Sequence, residues 1–318
     1  MRLSETRNYG FNQIVKQYAS FPWYLPLPAH LEHGWTPIEE ALKSDLGSKK
    51  PLMLVFSKRR AEAWKKQSSI PVAVMGSPFI HFKNMHHITK QKDAKGTIVF
   101  PSHSTYSVTS QFSVEQYCRE LKNLSSEFQP ITICLFWLDF IDKKANIYRK
   151  FGFNVVSAGY KFSIGLDFVE NFYKILSSHK YASANEVGSY TFYAIDLGLP
   201  FFLTGKAPLI NNIGNDVNLA KSVKTIDFKY GEIASGLFET GPITKISLAQ
   251  KEFADREMGL QDCLSRTALR DLLIRTNKSY RSFHRTLKYL IESALLRFIF
   301  NGPWGKIVIA LRRRTVRK

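Results

Sequence analysis

The sequence predicts an α/β protein built on parallel sheets, and three observations carry that expectation. Short apolar segments alternate with amphipathic stretches in two successive runs along the chain. One segment, I-T-I-C-L-F-W-L at 131–138, is apolar on both faces, as a strand covered by helices on each side must be. The stretch 181–205 reads as a complete strand, polar turn, helix and second buried strand, with Asn185, Glu186, Gly188 and Ser189 in the turn.

Each element follows from local sequence. Residues 1 to about 50 read as irregular and aromatic-rich, because the three prolines of F-P-W-Y-L-P-L-P (21–28) remove donors and hold their neighbours extended. Thr36-Pro37 before I-E-E-A-L-K predicts a helix start, with Thr36 as cap and Pro37 in the first turn. A strand at 52–56, a helix capped by Ser57, a strand at 71–75 and a turn G-S-P-F-I-H-F-K come next. The polar stretch 83–96 is the candidate interdomain linker. The second run places strands at 97–100, 131–138, 153–157, 181–184 and 200–203, and helices at 113–128, 142–151, 167–177 and 187–197. Residues 206–245 are looser, with N-N-I-G-N-D-V-N as a surface loop and K-S-V-K-T-I-D-F-K-Y as a strand near an edge. Beyond Ser247 the chain turns helical. Leu269, Leu272, Leu273, Tyr280, Phe283, Leu287, Leu290 and Ile291 recur at spacings of three, four or seven, and Arg266, Arg270, Arg281, Arg285 and Lys288 occupy much of the remainder. The expected domains are 1–95, 96–245 and a basic helical tail, 246–318.

At 318 residues the chain can bury a sizeable core. Its three cysteines, Cys118, Cys134 and Cys263, lack C-x-x-C spacing and indicate neither a disulfide framework nor a thiolate zinc site. No apolar stretch at the start resembles a secretory signal, and none reaches the roughly 20 residues of a membrane span, so a cytosolic protein is expected. The net charge of +19 is uneven. From Arg266 to Lys318, fourteen Lys and Arg face only Asp271 and Glu292, a net of +12. Such a field attracts lipid headgroups, a lipid-linked saccharide or nucleic acid.

In a parallel sheet the ligand site lies beyond the carboxyl ends of the strands, so the residues that follow each strand are the candidates. Pro101 is followed by Ser102, His103, Ser104 and Thr105, three hydroxyls and an imidazole suited to a phosphate; a polar loop with His103 satisfied locally is the plain alternative. Gly159 admits close backbone approach and Tyr160 offers a stacking face. Asn185, Gly188 and Ser189 precede a helix whose free N–H groups favour an anion, or simply make its turn and cap. His33, in H-G-W, is the candidate general base. Asp139 could orient a histidine or bind ribose, while Asp142, three residues on, simply caps the next helix in the plain alternative, and the pattern does not choose between them. His86-His87 reads as structural, having no third ligand at zinc spacing. D-x-D, Walker A and G-x-G-x-x-G elements are absent, so no metal cofactor, P-loop or dinucleotide chemistry is expected.

On H-G-W, G-S-P-F, F-P-S-H-S-T, G-F-N-V-V-S-A-G and S-A-N-E-V-G-S-Y-T-F-Y-A-I-D-L-G-L-P-F-F-L-T-G, the chain resembles bacterial GT-B-type glycosyltransferases of surface polysaccharide synthesis across roughly residues 30 to 205. Polysialyltransferases and teichoic-acid glycerophosphate transferases are similar in outline. The resemblance implies two Rossmann-like domains facing a cleft, a nucleotide-activated sugar on the second, and a lipid-linked lipopolysaccharide or capsule precursor as acceptor. It implies work at the inner face of the membrane, and the charge of the tail separately predicts adsorption to anionic lipid through the basic helix, Trp304 and the terminal arginines. His103 is followed by Ser104 where the sialyltransferase pattern has proline, and Glu39-Glu40 by Ala41 where its base motif has glycine. Neither a sialic-acid donor nor a carboxylate base is therefore carried over. The competing readings are a nucleic-acid-binding protein, supported by charge alone, and a non-catalytic transferase-like scaffold.

Overall fold

The computed structural model describes residues 8–105, 107–141, 143–162, 165–214, 216–239, 241–280, 286–292 and 294–295. Asp142, Arg281, Phe283, Arg285, Trp304 and the terminal arginines lie outside them. The chain is a mixed α/β fold with two parallel sheets, as its alternation predicts.

The first unit contains α1 (Phe11–Tyr18), β1 (His30–Leu31), α2 (Lys43–Leu46), β2 (Met53–Val55), α3 (Lys58–Lys65), β3 (Val72–Val74) and α4 (Pro78–Met85). Its strands form a parallel sheet in the order β1-β2-β3, with His30 opposite Met53 and Met53 opposite Val72. The second unit opens with β4 (Thr97–Phe100), β5 (Val108–Gln111), α5 (Val114–Lys122), β6 (Ile131–Cys134), α6 (Trp137–Ile141), α7 (Lys143–Lys150) and β7 (Asn154–Val156). It continues through α8 (Asp167–Ser177), β8 (Tyr181–Ala184), α9 (Ser189–Asp196), β9 (Phe201–Leu203), β10 (Leu209–Asn212), β11 (Ser222–Val223) and α10 (Lys229–Phe238). Five of these strands form a parallel sheet in the order β7-β6-β4-β8-β9. The chain lays down its central strand first, builds outward on one side, then returns to build on the other. That reversal opens a crevice beyond the carboxyl ends of β4 and β8.

The helices arise where apolar residues repeat at helical spacing. In α8, Val169, Phe172, Tyr173 and Leu176 make one buried stripe, and its bounds agree with the sequence expectation. One core joins the two sheets, drawing Leu54 and Phe56 from the first, Phe100, Ala182 and Phe201 from the second, and Phe79 and Phe82 from α4 between them.

Several elements differ from expectation. Residues 11–18 are helical, with Phe11, Ile14 and Val15 on the buried face. No helix starts at Thr36. The guanidinium of Arg59 donates to the carbonyls of Thr36 (2.8 Å) and Ile38 (3.2 Å), and that of Arg60 to Ile38 (2.7 Å) and Glu40 (2.8 Å), so acceptors a helix would use are held by α3. The segment G-S-P-F-I-H-F-K is mostly α4, with Ser77 as N-cap and Pro78 in the first turn. The expected linker therefore begins inside a helix. Strand β6 stops at Cys134 because β7 offers only three partners; the last rung is Leu135 N–H to the Val156 carbonyl at 2.9 Å, after which the chain turns into α6. A third sheet, β11-β10-β5, is antiparallel and was not expected. The 221–230 segment supplies the two-residue β11, a single 3-10 turn at Thr225–Asp227 and the start of α10.

After α10 come α11 (Leu248–Glu257) and α12 (Arg266–Tyr280). Phe253, Ala254, Met258, Leu269 and Leu273 belong to the main core. The chain recrosses to the first sheet: Ser77 N–H donates to the Met258 carbonyl at 3.1 Å, and Leu264 N–H to that of Val74 at 3.0 Å. At Gly259 (φ +68°) a Cβ would sit 1.8 Å from the Phe56 carbonyl oxygen, so only glycine permits this approach. Among the described residues, no helix is long and apolar enough to cross a membrane.

Candidate active site

Two loops of the first unit build one wall. At the end of β1, Glu32 is buried, accepting from Phe56 N–H (3.0 Å) and from Arg60 Nε (2.5 Å), which fixes where the next residues, His33, Gly34 and Trp35, emerge. Desolvation holds the Glu32 carboxyl above its usual range, with Arg60 pulling it back. Trp35 N–H donates to Ser189 Oγ (2.9 Å), and a Cβ at Gly34 would stand 3.0 Å from the same oxygen. Trp35 Nε1 donates to Glu257 Oε2 (2.8 Å), which also accepts from Arg59 Nη2 (2.7 Å). Helices α3, α9 and α11 and the H-G-W loop are thus tied together through polar groups.

The opposite wall stands at the crevice of the five-stranded sheet. Ser102 N–H donates to Asn185 Oδ1 (2.8 Å), joining the ends of β4 and β8. Ser110 Oγ donates to Ser102 Oγ (2.7 Å), while Glu186 takes hydrogen bonds from Ser102 and from Thr225 Oγ1 (2.9 Å). Burial nevertheless raises the Glu186 carboxyl above its usual range. Helix α9 begins at Gly188 without a side-chain cap. Thr191 N–H donates to the Gly188 carbonyl (3.0 Å) and Gly188 N–H to Thr191 Oγ1 (3.2 Å), whereas the N–H groups of Ser189 and Tyr190 lie in the first turn, with no preceding turn to supply their carbonyl partners.

Between the walls lies a cavity of about 770 Å³. His33 and Trp35 line it from the first unit, His103, Gly159, Glu186, Gly188 and Ser189 from the second, and Tyr9, Phe79, Phe100, Trp137 and Phe168 supply much of its apolar surface. Gly159 has φ +103°, and a Cβ there would meet nothing within 4 Å, so the backbone borders open space. The loop after it is fastened to the first unit by Tyr9 N–H donating to the Lys161 carbonyl (2.6 Å).

The two histidines share one electrostatic condition. His103, its ring 4.1 Å from that of Phe136, is pushed down to about 4, first by burial and then by Lys161, Lys144 and His33. His33 is likewise lowered to about 4 by burial and by Lys161, although its ring is exposed; the surface it exposes is cavity wall. Lys161 is itself lowered by burial. Both imidazoles are neutral near pH 7. Asn8 Nδ2 donates to His33 Nδ1 (2.8 Å), which puts the His33 proton on Nε2; turning the amide end for end would make its oxygen the acceptor and free Nε2 as a base.

Of the residues singled out from the sequence, the cavity brings together His33, His103, Gly159, Gly188 and Ser189. Ser102 and Asn185 stand behind the wall, each 2% exposed. Ser104 Oγ accepts from Ser110 N–H (3.1 Å), and Thr105 Oγ1 from Ser107 (3.2 Å) and Val108 (3.3 Å), so both shape the turn into β5. Tyr160 packs edge-on against Trp137, ring centroids 4.7 Å apart. Asp139 lies 3.3 Å from Lys144 Nζ. Lys161 and Lys144 escaped the sequence reading, although Lys161 directly follows A-G-Y.

No protein-family model and no curated protein matches this chain. Among solved structures it is similar to MnaA of S. aureus in complex with UDP, at 12% identity over 88% of this chain and 80% of that one, with a TM-score of 0.40. It is similar to a UDP-GlcNAc 2-epimerase from Neisseria meningitidis bound to UDP-GlcNAc (11% identity, 85% and 81% covered, TM-score 0.38). A third is the wall teichoic acid polymerase TagF (9% identity, 85% and 67% covered, TM-score 0.35).

Proposed function

We propose that the protein is a GT-B-type glycosyltransferase that moves a sugar from a nucleotide-activated donor to a lipopolysaccharide or capsule precursor, without a metal, at the cytosolic face of the membrane. The observation that carries this reading is one cavity holding His33 from one parallel sheet and His103 from the other, beside the uncapped start of α9. The nucleotide's phosphates would lie at that helix start and against His103, where Lys161 and Lys144 supply positive charge. Gly188 and Ser189 would contribute backbone donors, and Gly159 the close approach to a flat ring. The lipid-linked saccharide would enter from the His33 side.

In the reaction, His33 takes the proton of the acceptor hydroxyl on Nε2, with the Asn8 amide turned so that its oxygen accepts from Nδ1. The hydroxyl oxygen bonds to the sugar's anomeric carbon, and the electron pair of the breaking carbon–oxygen bond leaves on the nucleotide phosphate, where His103 and the α9 N–H groups receive it. A bound polyanion would raise the basicity of both imidazoles, which burial and the neighbouring lysine charge hold low. Thermal-shift screening with CMP, CDP, UDP and GDP tests the reading. One nucleotide stabilising the fold, and losing that effect in His103→Gln, supports it; no stabilisation by any of them, or stabilisation by single-stranded RNA alone, overturns it.

A further inference from the structure

The F-P-W-Y-L-P-L-P loop is anchored by buried Phe21, Leu25 and Leu27, and Leu25 N–H donates to the Pro22 carbonyl (3.2 Å). The turn so closed holds Trp23 and Tyr24 at its tip, 70% and 47% exposed, their rings edge to face at 5.9 Å. Two large aromatic side chains on a tightly anchored turn are in water although the loop around them is buried.

The helical residues 286–292 are seated against this same turn. Tyr289 Oη donates to the Trp23 carbonyl (3.1 Å) and accepts from Lys16 Nζ of α1 (2.8 Å). Their polarity is the reverse of what a water-facing helix shows. Glu292 is 2% exposed, whereas Leu287, Leu290 and Ile291 are 44%, 37% and 57% exposed, and Leu295 beyond them 45%. Aliphatic side chains facing outward beside an exposed Trp–Tyr pair make one apolar face from two distant parts of the chain. Its surroundings are basic. Lys288 is exposed on the same helix, and Arg266 and Arg270, one turn apart on one face of α12, are exposed where Arg266 ties that helix to α1 by donating to the Tyr18 carbonyl (2.9 Å).

We infer that this face is a membrane-docking surface for an anionic bilayer, with Trp23 and Tyr24 seated at headgroup level, the outward aliphatics below them and the α12 cations against the lipid charge. Trp and Tyr suit that depth because each pairs an apolar ring with a polar edge, and an amphipathic helix with a basic border lies in the same plane. Charge complementarity selects the bilayer over a neutral apolar partner. The inference gives a surface to the membrane location proposed above and rests on it, but nothing in its test depends on a nucleotide, so it and the catalytic reading can fail separately.

The test is co-sedimentation of the full chain with phosphatidylcholine vesicles carrying phosphatidylglycerol, and with phosphatidylcholine alone, alongside tryptophan quenching by brominated phosphatidylcholine. The variants are Trp23→Phe, the pair Trp23→Ala with Tyr24→Ala, and the pair Leu287→Ser with Ile291→Ser, each first checked for an unchanged unfolding temperature. Binding should need phosphatidylglycerol, weaken with salt, and fall by about ten-fold or more in either pair. Brominated lipid should quench a component of emission that Trp23→Phe removes. Equal binding by the Trp23/Tyr24 pair and the parent would overturn the inference. So would equal binding to neutral vesicles, or a parent dimer that the pair converts to monomer, since a second copy would then cover the face.

Discussion

Binding a nucleoside diphosphate should drive a proton onto His103. Its pKa is about 4, because burial and the charges of Lys161 and Lys144 oppose the imidazolium. A phosphate charge about 4 Å away, at an effective dielectric of about 20, is worth about 4 kcal/mol, or about 3 pH units. That carries the group to about 7, so near pH 6.5 each nucleotide bound should bring about 0.8 proton with it, falling towards zero above about pH 8. Isothermal titration calorimetry in buffers of different ionisation enthalpy reads this directly. The nucleotide's own terminal phosphate exchanges protons in parent and variant alike, so the difference from His103→Gln is the quantity of interest. The same proton count in His103→Gln as in the parent would refute the placement of phosphate beside this histidine.

Stability should also depend on pH through the same residue. His103 is lowered from 6.5 to about 4 on folding, so below about 6.5 the unfolded chain binds a proton that the folded chain refuses. Stability is therefore full above that pH and is lost as pH falls towards 4, by at most about 3 kcal/mol, and His103→Gln should flatten that slope in denaturant titrations. Leu269 and Leu273 are fully buried, and replacing either with Ala should cost about 2–5 kcal/mol; no loss in urea unfolding would mean that α12 is an appended tail rather than part of the core. Glu257→Ala strands the Arg59 guanidinium and frees Trp35, and should cost about 3 kcal/mol or more by the same assay. His33→Asn should lower turnover by about 100-fold to 10,000-fold with nucleotide affinity little changed; equal losses in both would move His33 out of the role of base.

The parallel strands were legible because burial on both faces leaves a plain mark, as in I-T-I-C, and α8 because its apolar stripe is unbroken. The antiparallel strands V-T-S-Q and L-I-N-N carry no such mark, since they are mostly half-buried and polar. Residues 36–42 show tertiary contact overriding local preference: Thr36-Pro37 is a sound helix start by itself, but two arginines 20 or more positions away take the carbonyls. Reading the residues after each strand found His103, Gly159, Gly188 and Ser189, because a parallel sheet sends those positions to one rim; His33 was singled out as the residue before a helix start at Thr36 that does not form, and it reaches the cavity because it follows β1. It could not separate residues facing the cavity from those holding its wall. Ser102 and Asn185 have the right chemistry and the right strand ends, yet both are buried, Ser102 N–H donating to Asn185 Oδ1 and the Ser102 hydroxyl held by Ser110 and Glu186. Lys161 and Lys144 were missed because a single lysine in a basic chain carries no signal until folding buries it or sets it beside an imidazole.

The most direct measurement is a crystal structure of the protein soaked with the nucleotide that stabilises it most. The account predicts that its phosphates lie within hydrogen-bond reach of the first N–H groups of α9 and of His103, with the base near Gly159. A nucleotide bound elsewhere on the molecule, or the cavity filled by a ligand without phosphate, would contradict it.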